Sequence, residues 1–191
     1  MKDHVFIPAK SVLFVCLGNI CRSPIAEGVF RNLARKSNAL SALRIDSAGL
    51  GSWHVGQPPD RRAQEAVAGH GIDIADLRAR QVTRDDFEAF DLILAMDKAN
   101  RQGLLKLAAR QHHDKIRLLM DCAPNFGVHE IPDPFFGDKD GFDYVVQLIE
   151  AACRGLARSL TPPKTVCLQH GGSAQVQSMA PASRPLAPLN G

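Results

Sequence analysis

The sequence predicts a doubly wound α/β domain of three layers, in which a four-stranded parallel sheet is flanked by helices. Two segments, residues 12–15 and 91–96, are apolar without alternation, which is typical of strands covered on both faces. Amphipathic helical patterns separate the predicted strands, and strands that alternate with helices form right-handed βαβ crossovers. With 191 residues, 45% of them hydrophobic, the chain is long enough for one domain with a full core.

The first strand leads into a helix. Ser23 is a suitable N-cap and Pro24 a suitable first helical residue, and apolar side chains at helical spacing continue to about residue 36. Residues 43–47 are expected to form a second short strand. A loop punctuated by glycines follows over residues 48–56.

The middle of the chain contains three further helix starts. Residues 58–60 open a helix that ends near Gly69. Residues 83–86 have the character of a capping box and begin a helix of one or two turns before the strand at 91–96. Asp97 is the expected cap of the next helix.

That helix runs to about residue 110, and residues 116–120 form the fourth predicted strand. A long irregular stretch occupies residues 121–140, and loops of this length are usually functional or disordered. Asp140 is the expected cap of a last helix, which the prolines at 162–163 close.

The predicted domain spans residues 11–162, with an extension before it and a tail after it. Residues 1–10 lack the apolar core of a signal peptide. In residues 163–191, glycine, serine, alanine, proline and glutamine dominate and no periodicity survives. The sequence therefore predicts a disordered C-terminal tail.

The charge and the cysteine content limit the partners and the compartment. A net charge of +3 and a pI near 8.7, from basic residues scattered along the chain, argue against nucleic acid. No apolar run approaches the roughly 20 residues of a membrane helix, so no membrane contact is expected. The cysteines are odd in number and irregularly spaced, at 16, 21, 122, 153 and 167, which is typical of reduced thiols in a cytoplasmic protein.

The strongest chemical signal lies between the first strand and the first helix. Cys16 ends the strand, Arg22 comes directly before the predicted helix cap, and the loop between them contains Gly18 and Asn19. Free backbone N–H groups and the positive end of the helix dipole gather here and form an anion site. Such a site favours a cysteine thiolate, and the planar fork of Arg22 suits phosphate oxygens. We define the phosphate loop as residues 16–23, that is Cys16, Leu17, Gly18, Asn19, Ile20, Cys21, Arg22 and Ser23.

The pattern indicates covalent phosphoryl transfer. The Cys-x5-Arg spacing is weak by itself, but its strand–loop–helix setting makes it a strong signal. The Cys16 thiolate is expected to attack phosphorus in line while Arg22 and the loop N–H groups hold the equatorial oxygens, and water then hydrolyses the phosphocysteine. This chemistry needs no metal and no cofactor. Two roles stay open for Ser23, a hydrogen bond to the sulfur or plain helix capping.

Asp133 is the best candidate for the proton donor that a departing phenolate requires. It lies between two prolines in residues 131–136, beside aromatic residues that suit the mouth of a pocket. An aspartate before proline is also common in turns. The residues alone leave these two interpretations equal.

Five motifs resemble those of the low-molecular-weight protein tyrosine phosphatases, in the same order, over roughly residues 11–160. They are Cys-Leu-Gly-Asn-Ile-Cys-Arg-Ser-Pro at 16–24, Asp-Ser-Ala-Gly at 46–49, Ala-Arg-Gln-Val-Thr at 79–83, Met-Asp at 96–97 and Asp-Pro-Phe-Phe at 133–136. The resemblance implies the fold of that family. It also implies that Cys16 is the nucleophile, Arg22 the phosphate binder and Asp133 the general acid.

Further roles also come from the resemblance. Asn19 and Ser47 are implied to hold the phosphate loop in shape through hydrogen bonds. Trp53, Phe135 and Phe136 are implied to form aromatic walls for a phosphotyrosine ring. The implied substrates are phosphotyrosine proteins. Because bacterial members often act on tyrosine kinases, a bacterial tyrosine kinase is a candidate partner, and inorganic phosphate is expected as product and inhibitor.

Cys21 suggests redox control. It lies five residues after Cys16 in the same loop, close enough for a disulfide once the Cys16 sulfur is oxidised to sulfenic acid. In the resembling family this pair is a reversible redox guard, and the alternative is a small packed residue. Many relatives carry tyrosines where this chain has Phe135 and Phe136, so regulation by phosphorylation is not expected there. No zinc-ligand spacing is present, and no metal site is predicted.

Three other functions are compatible with a cysteine–arginine phosphate site. A thioredoxin-coupled arsenate reductase needs two further cysteines a few residues apart, whereas Cys122, Cys153 and Cys167 are widely spaced. A phosphoarginine phosphatase resembles this chain but carries threonine at the place of Ile20. A non-catalytic phosphate-binding module is disfavoured because Cys16, Arg22 and Asp133 are all intact.

Overall fold

The computed structural model describes residues 6–137 and 139–162. The strands are β1 (Ser11–Cys16), β2 (Arg44–Gly49), β3 (Leu92–Ala95) and β4 (Ile116–Leu118). The α-helices are α1 (Arg22–Arg35), α2 (Arg61–Ala68), α3 (Asp86–Ala89), α4 (Lys98–Leu107) and α5 (Lys139–Leu160). Short 3-10 helices cover Arg110–Lys115, Leu119–Cys122 and Pro124–Phe126.

The four strands form one parallel sheet in the order β2-β1-β3-β4, which confirms the predicted fold class. Cys16 at the end of β1 pairs with Gly49 at the end of β2. Val15, one residue earlier, pairs with Ala95 at the end of β3. The carboxyl ends of three strands therefore meet at one edge, the edge at which open α/β sheets bind ligands.

Both faces of the sheet are covered, and β1 shows why its sequence is apolar without alternation. Val12 and Phe14 belong to the core cluster formed with α1, α2 and α5. Leu13 and Val15 belong to a second cluster with residues of α3 and α4. Successive side chains of a strand face opposite sides, and here each side is buried.

The start of α1 differs from the prediction. The helix begins at Arg22, so the prediction of Ser23 as its N-cap was wrong. Cys21 occupies the cap position without a side-chain capping bond, and its carbonyl accepts from the Ile25 N–H at 3.3 Å. Pro24 lies within the first turn, where the missing N–H breaks no helical hydrogen bond. The Ser23 hydroxyl instead contacts Cys16 and Asn19 within the phosphate loop.

Other element ends also differ by a few residues. The fourth helix ends at Leu107 rather than near residue 110, and β4 ends at Leu118 rather than at residue 120. Two of the 3-10 helices lie wholly or partly within the stretch 121–140, which the sequence predicted to be irregular.

The caps of the last two helices had different outcomes. Asp97 caps α4 as predicted, because its carboxylate accepts from the Asn100 N–H at 2.6 Å. The last helix begins at Lys139, so Asp140 lies in its first turn and the prediction of Asp140 as the cap was wrong. An acidic residue in the first turn still favours the positive end of the helix dipole.

The end of the predicted N-terminal extension is attached to the domain. The Ile7 N–H donates to the Ser159 carbonyl of α5 at 2.8 Å, and the Lys10 carbonyl accepts from the Arg44 N–H at 3.0 Å. Residues 1–5 and the predicted tail at 163–191 lie outside the described residues, and the domain boundaries stay predictions.

Within residues 6–137 and 139–162, no helix combines the length and apolar character needed to cross a membrane.

Candidate active site

The phosphate loop folds around the Cys16 sulfur at the carboxyl end of β1. Asn19 has a φ of 57°, in the left-handed region that asparagine tolerates better than most residues. The end of β2 approaches closely, because a Cβ at Gly49 would lie 3.0 Å from backbone atoms of Leu17, Gly18 and Asn19. Only a glycine at this point of β2 lets the loop lie so close.

The Cys16 sulfur is buried, with 2% of the residue exposed, and has two polar neighbours. The Asn19 N–H donates to Sγ at 3.2 Å, and Ser23 Oγ lies 3.1 Å from Sγ. Ser23 Oγ is also 3.3 Å from the Ala48 carbonyl. Of the two roles that the sequence left open for Ser23, the geometry therefore favours the hydrogen bond to sulfur.

The Asn19 side chain ties the phosphate loop to other segments. Its amide nitrogen donates to Ser23 Oγ and to Ser47 Oγ, both at 2.9 Å, and its amide oxygen accepts from the Arg80 N–H at 2.9 Å. Ser47 Oγ in turn donates to the Glu27 carboxylate. Because Ser23 Oγ accepts from the Asn19 amide, its one hydroxyl hydrogen is left for two neighbouring acceptors, the Cys16 sulfur at 3.1 Å and the Ala48 carbonyl at 3.3 Å.

Glu27 is a buried carboxylate behind the phosphate loop that the sequence analysis missed. Burial raises its pKa above the ordinary 4.5, and the hydrogen bond from Ser47 and the charge of Arg31 oppose that rise. Arg31 lies one turn further along α1 and approaches the carboxylate to 2.6 Å. Glu27 orients the Ser47 hydroxyl and, through it, the Asn19 amide.

Arg22 is buried, with 2% exposed, and its guanidinium joins two loops. Nη1 donates to Asp97 Oδ2 at 2.6 Å and to the Ile131 carbonyl at 3.2 Å. Nη2 donates to Asp133 Oδ2 at 2.6 Å. Nε has no hydrogen-bond partner within the part of the chain that the structure describes. A buried donor without a partner is costly, so Nε is suited to an oxygen of a bound anion.

Asp133 fits both interpretations that the sequence left open. Its Oδ1 accepts from the Phe135 N–H at 3.2 Å, the local contact of a turn aspartate. Its Oδ2 binds Arg22, and its side chain lines the same cavity as Cys16. The side chain is 40% exposed, so its carboxyl group is in contact with solvent.

An open cavity of about 240 Å³ brings these groups together. Two of its aromatic residues reach far into solvent, since Trp53 is 63% and Phe136 is 97% exposed. Phe135 meets Phe136 edge to face, with ring centroids 5.1 Å apart. Thiol, guanidinium, carboxyl and aromatic groups thus share one opening, whose lining consists of Cys16, Leu17, Gly18, Ile20, Cys21, Arg22, Trp53, His54, Asp133, Phe135 and Phe136.

His54 is a cavity residue that the sequence analysis missed. A Cβ at Gly18 would lie 3.0 Å from its ring carbon, so the imidazole packs on the phosphate loop. Its ring centroid is 6.4 Å from that of Phe135, and Nδ1 lies 2.8 Å from Gln57 Oε1. The available signal was its place beside Trp53 in the glycine-punctuated loop.

Asp97 has a second function that the sequence analysis missed. One carboxylate oxygen caps α4, and the other binds Arg22. Its position directly after the third strand, at the ligand-binding edge of the sheet, was the signal that could have identified it.

Cys21 is a buried neighbour of the nucleophile candidate. Burial raises the pKa of its thiol from 9.0 to about 12, with the charges of Asp60 and Cys16 as further causes. Both Cys16 and Cys21 are free cysteines. Among residues 6–137 and 139–162, no group of three or more histidine, cysteine or acidic residues is arranged to hold a metal ion.

Comparison with known proteins identifies the family. The family model described as "Low molecular weight phosphotyrosine protein phosphatase" matches residues 11–165. The chain belongs to this family. The low molecular weight protein-tyrosine-phosphatase YfkJ of Bacillus subtilis is 42% identical over 154 residues, which cover 81% of this chain and 97% of that protein.

Two further relatives support the family assignment. The human low molecular weight phosphotyrosine protein phosphatase is 44% identical over 147 residues, covering 76% of this chain and 92% of that protein. A crystal structure of a protein tyrosine phosphatase from Entamoeba histolytica, with Hepes in the active site, matches with a TM-score of 0.75 at 39% identity. That match covers 78% of this chain and 96% of the other. The resemblance inferred from the motifs is confirmed.

In this low molecular weight phosphatase, the predicted site residues fall into two groups. Cys16, Arg22 and Asp133 line the cavity together with the three predicted aromatic residues. Asn19 and Ser47 lie behind it and hold the loop through hydrogen bonds. The catalytic roles assigned to these residues stay predictions.

We expect Glu27→Gln to change the pH dependence of stability. Below the ordinary value of 4.5, Glu27 is protonated in both the folded and unfolded states. As pH rises past 4.5, the unfolded chain releases this proton first, so wild type loses stability until the folded chain also releases it at its raised pKa. Glutamine has no such loss, and the free energy of unfolding of the variant relative to wild type should therefore rise with pH.

Urea unfolding at a series of pH values measures this difference. Glu65→Gln is the matched control, because Glu65 also pairs with an arginine on its own helix, Arg61, but is exposed. A difference for Glu27→Gln that is constant with pH, or that falls as pH rises, would contradict the assigned pKa direction.

Proposed function

We propose that this protein hydrolyses phosphotyrosine and small aryl phosphates through a phosphocysteine intermediate, without a metal ion. The observation that carries the proposal is the single cavity shared by a cysteine thiol, a buried arginine, a carboxyl group and aromatic rings. An aryl phosphate presents the matching parts, namely a phosphorus atom, anionic oxygens, a leaving oxygen and a ring. Membership of the phosphotyrosine phosphatase family supports the same reaction.

In the first step, the Cys16 thiolate attacks phosphorus opposite the leaving oxygen. An S–P bond forms while the P–O bond to the phenol breaks, and Asp133 transfers its proton to the departing oxygen. Loop N–H groups and Arg22 hold the remaining oxygens as charge redistributes. Arg22 gains a new anionic partner in the phosphate, which weakens the hold of its Nη2 on Asp133.

In the second step, water hydrolyses the phosphocysteine. The Asp133 carboxylate accepts a proton from the attacking water, the S–P bond breaks, and the Cys16 thiolate and inorganic phosphate are released. Phosphate leaves from the same anion site that binds the substrate, so it acts as product and as inhibitor.

The aromatic residues account for selection of an aryl group. Trp53 and Phe136 are largely exposed at the cavity, and Phe135 packs between Phe136 and His54. Rings in this arrangement cover the faces and edges of a bound phenyl group. Phosphoserine has no ring to contact them, so it gains only the binding energy of its phosphate.

The proposed partners are phosphotyrosine proteins of the cytoplasm, with a bacterial tyrosine kinase as one candidate. Free cysteines at 16 and 21 support a reducing compartment, because the reaction requires a thiolate at Cys16. The geometry adds no support for the rival functions. Of the cysteines that a disulfide relay would use, Cys153 is fully buried and out of reach of a thioredoxin, and Cys167 lies outside the described residues.

A turnover panel tests the proposed function. It compares phosphotyrosine, phosphoserine and phosphoarginine peptides, and arsenate with thioredoxin. We expect turnover of phosphotyrosine and p-nitrophenyl phosphate that a metal chelator leaves unchanged, with a mildly acidic optimum, since the thiolate and a protonated Asp133 must coexist. Cys16→Ser should lose at least about a thousandfold in kcat, whereas the control Cys122→Ser should keep its activity. Preference for another substrate, chelator sensitivity or turnover by Cys16→Ser would refute the proposal.

Asp133→Ala tests the assignment of the general acid. Its kcat/KM for phenyl phosphate, which has a poor leaving group, should fall about a hundredfold, and the loss for p-nitrophenyl phosphate should be much smaller. Asp73→Ala is a matched control, because Asp73 makes the same contact to the N–H two residues later, that of Ala75, outside the cavity. Equal losses for good and poor leaving groups would remove Asp133 as the acid.

Cys21→Ser tests the proposed redox guard. Peroxide oxidises the Cys16 thiolate to sulfenic acid, and the Cys21 sulfur then attacks that sulfur, forming the disulfide and releasing water. In wild type, a thiol reductant should restore activity after peroxide. In Cys21→Ser the sulfenic acid is open to further, irreversible oxidation, so less activity should return. Recovery equal to that of wild type would exclude the guard, and Cys122→Ser is the control.

A further inference from the structure

A pair of charged residues at the start of α2 connects the phosphate loop to the segment that carries Asp133. We define the acid loop as residues 131–137. Asp60 lies against the phosphate loop, and Arg62, two residues later, reaches the acid loop. Neither residue lines the cavity, and the reaction described above does not use them.

Asp60 attaches this pair to the phosphate loop. Its N–H donates to the Ile20 carbonyl at 2.7 Å. Its carboxylate caps α2 by accepting from the Arg62 N–H at 2.8 Å, and it also accepts from Arg62 Nε at 3.0 Å and Nη2 at 2.8 Å. The hydrogen bond from Arg62 lowers the pKa of Asp60, so the pair stays ionised across the neutral and mildly acidic range. Two parallel N–H···O bonds fix the plane of the guanidinium as well as its position.

Arg62, held in place by Asp60, contacts the acid loop. Its Nη1 donates to the Gly137 carbonyl at 3.1 Å. Its guanidinium carbon lies 5.7 Å from the ring centroid of Phe135 and 4.8 Å from that of the buried Phe142 on α5. One guanidinium therefore contacts the acid loop through both its backbone and an aromatic side chain.

We infer that Asp60 and Arg62 are positioning residues that hold Asp133 at the correct distance from the phosphate loop. The inference rests on the proposed function of Asp133 as the general acid. In the free protein, Arg22 binds Asp133 directly, but a bound phosphate competes for that same guanidinium. The Asp60–Arg62 pair lies outside the cavity, and the contacts of Arg62 to Gly137 and Phe135 do not involve the guanidinium of Arg22.

The position of Asp133, which Asp60 and Arg62 are inferred to maintain, matters because Asp133 must transfer a proton to the leaving oxygen. A general acid must lie within hydrogen-bond reach of the leaving oxygen, and a displacement of about 1 Å can cost up to a hundredfold in rate. The acid loop is held at its first residue by the Ile131 N–H, which donates to the Met96 carbonyl at 2.8 Å after β3. Arg62 holds its last residue, Gly137. Asp133 lies between these two attachments.

Arg62→Gln, assayed with a series of aryl phosphates, tests the inference. We expect kcat/KM for phenyl phosphate to fall about tenfold and that for p-nitrophenyl phosphate to change less than about twofold, because only poor leaving groups need the acid. Arg61→Gln is the matched control, since Arg61 on the same helix forms an exposed pair with Glu65. Arg62→Lys keeps the charge without the fork and should fall between wild type and Arg62→Gln.

The same substitution in the Asp133→Ala background separates positioning from general destabilisation. If Arg62 acts through Asp133, Arg62→Gln should cause no further loss of kcat/KM for phenyl phosphate there. Asp60→Asn is a second variant that keeps a good helix cap while removing the charge, and it should show the same leaving-group signature.

The outcomes distinguish this inference from the proposed function. Equal losses for all leaving groups, or a further loss in the Asp133→Ala background, would overturn the positioning role. If wild type hydrolyses no aryl phosphate, the proposed function itself fails. If wild type hydrolyses them and Arg62→Gln matches Arg61→Gln, only the positioning role fails.

Discussion

The hydrogen bonds of the Asn19 side-chain amide are the interaction on which the rest of the site depends. Most of the phosphate loop lies between β1 and α1, so its backbone lacks the regular hydrogen bonds of a helix or a strand. The Asn19 amide replaces them with bonds to Ser23 on α1, Ser47 on β2 and the Arg80 backbone. Each such bond contributes on the order of 1 kcal/mol net, and an unpaired buried amide would cost more. These bonds hold the conformation of the loop without help from a bound phosphate.

Burial of Arg22 imposes the second constraint. A buried guanidinium is stable only when it is paired and hydrogen-bonded, and Asp97, Asp133 and the Ile131 carbonyl meet that need. Asp97 comes directly after β3, and Ile131 and Asp133 come from the long segment between β4 and α5. The acid loop and the phosphate loop therefore meet at the guanidinium of Arg22. Its Nε has no partner among the described residues and is available to a bound anion.

Prediction from sequence succeeded where the determining contacts are local. The apolar runs of β1 and β3 predict buried parallel strands because both of their faces are covered. The Cys16-to-Arg22 spacing predicts the anion site because strand, loop and helix follow one another directly. Ser23 shows the limit of local reasoning. Its type suits a helix cap, but its hydroxyl contacts the thiol and the Asn19 amide, and the helix begins two residues earlier than predicted, at Arg22.

The sequence by itself determined the fold class, the thiol and arginine of the phosphate loop, and the choice of Asp133 as candidate acid. The fold class, the thiol and the arginine follow from residue type, spacing and neighbours along the chain, whereas the role of Asp133 as acid is implied only by the family resemblance. Only the tertiary structure decided which charges face each other. Arg22 meets partners 75 and 111 residues away, and Ser47 meets Glu27 from 20 residues away. Arg62 reaches Gly137 across 75 residues. Such pairings depend on how the crossovers stack helices on the sheet, and no local pattern encodes that geometry.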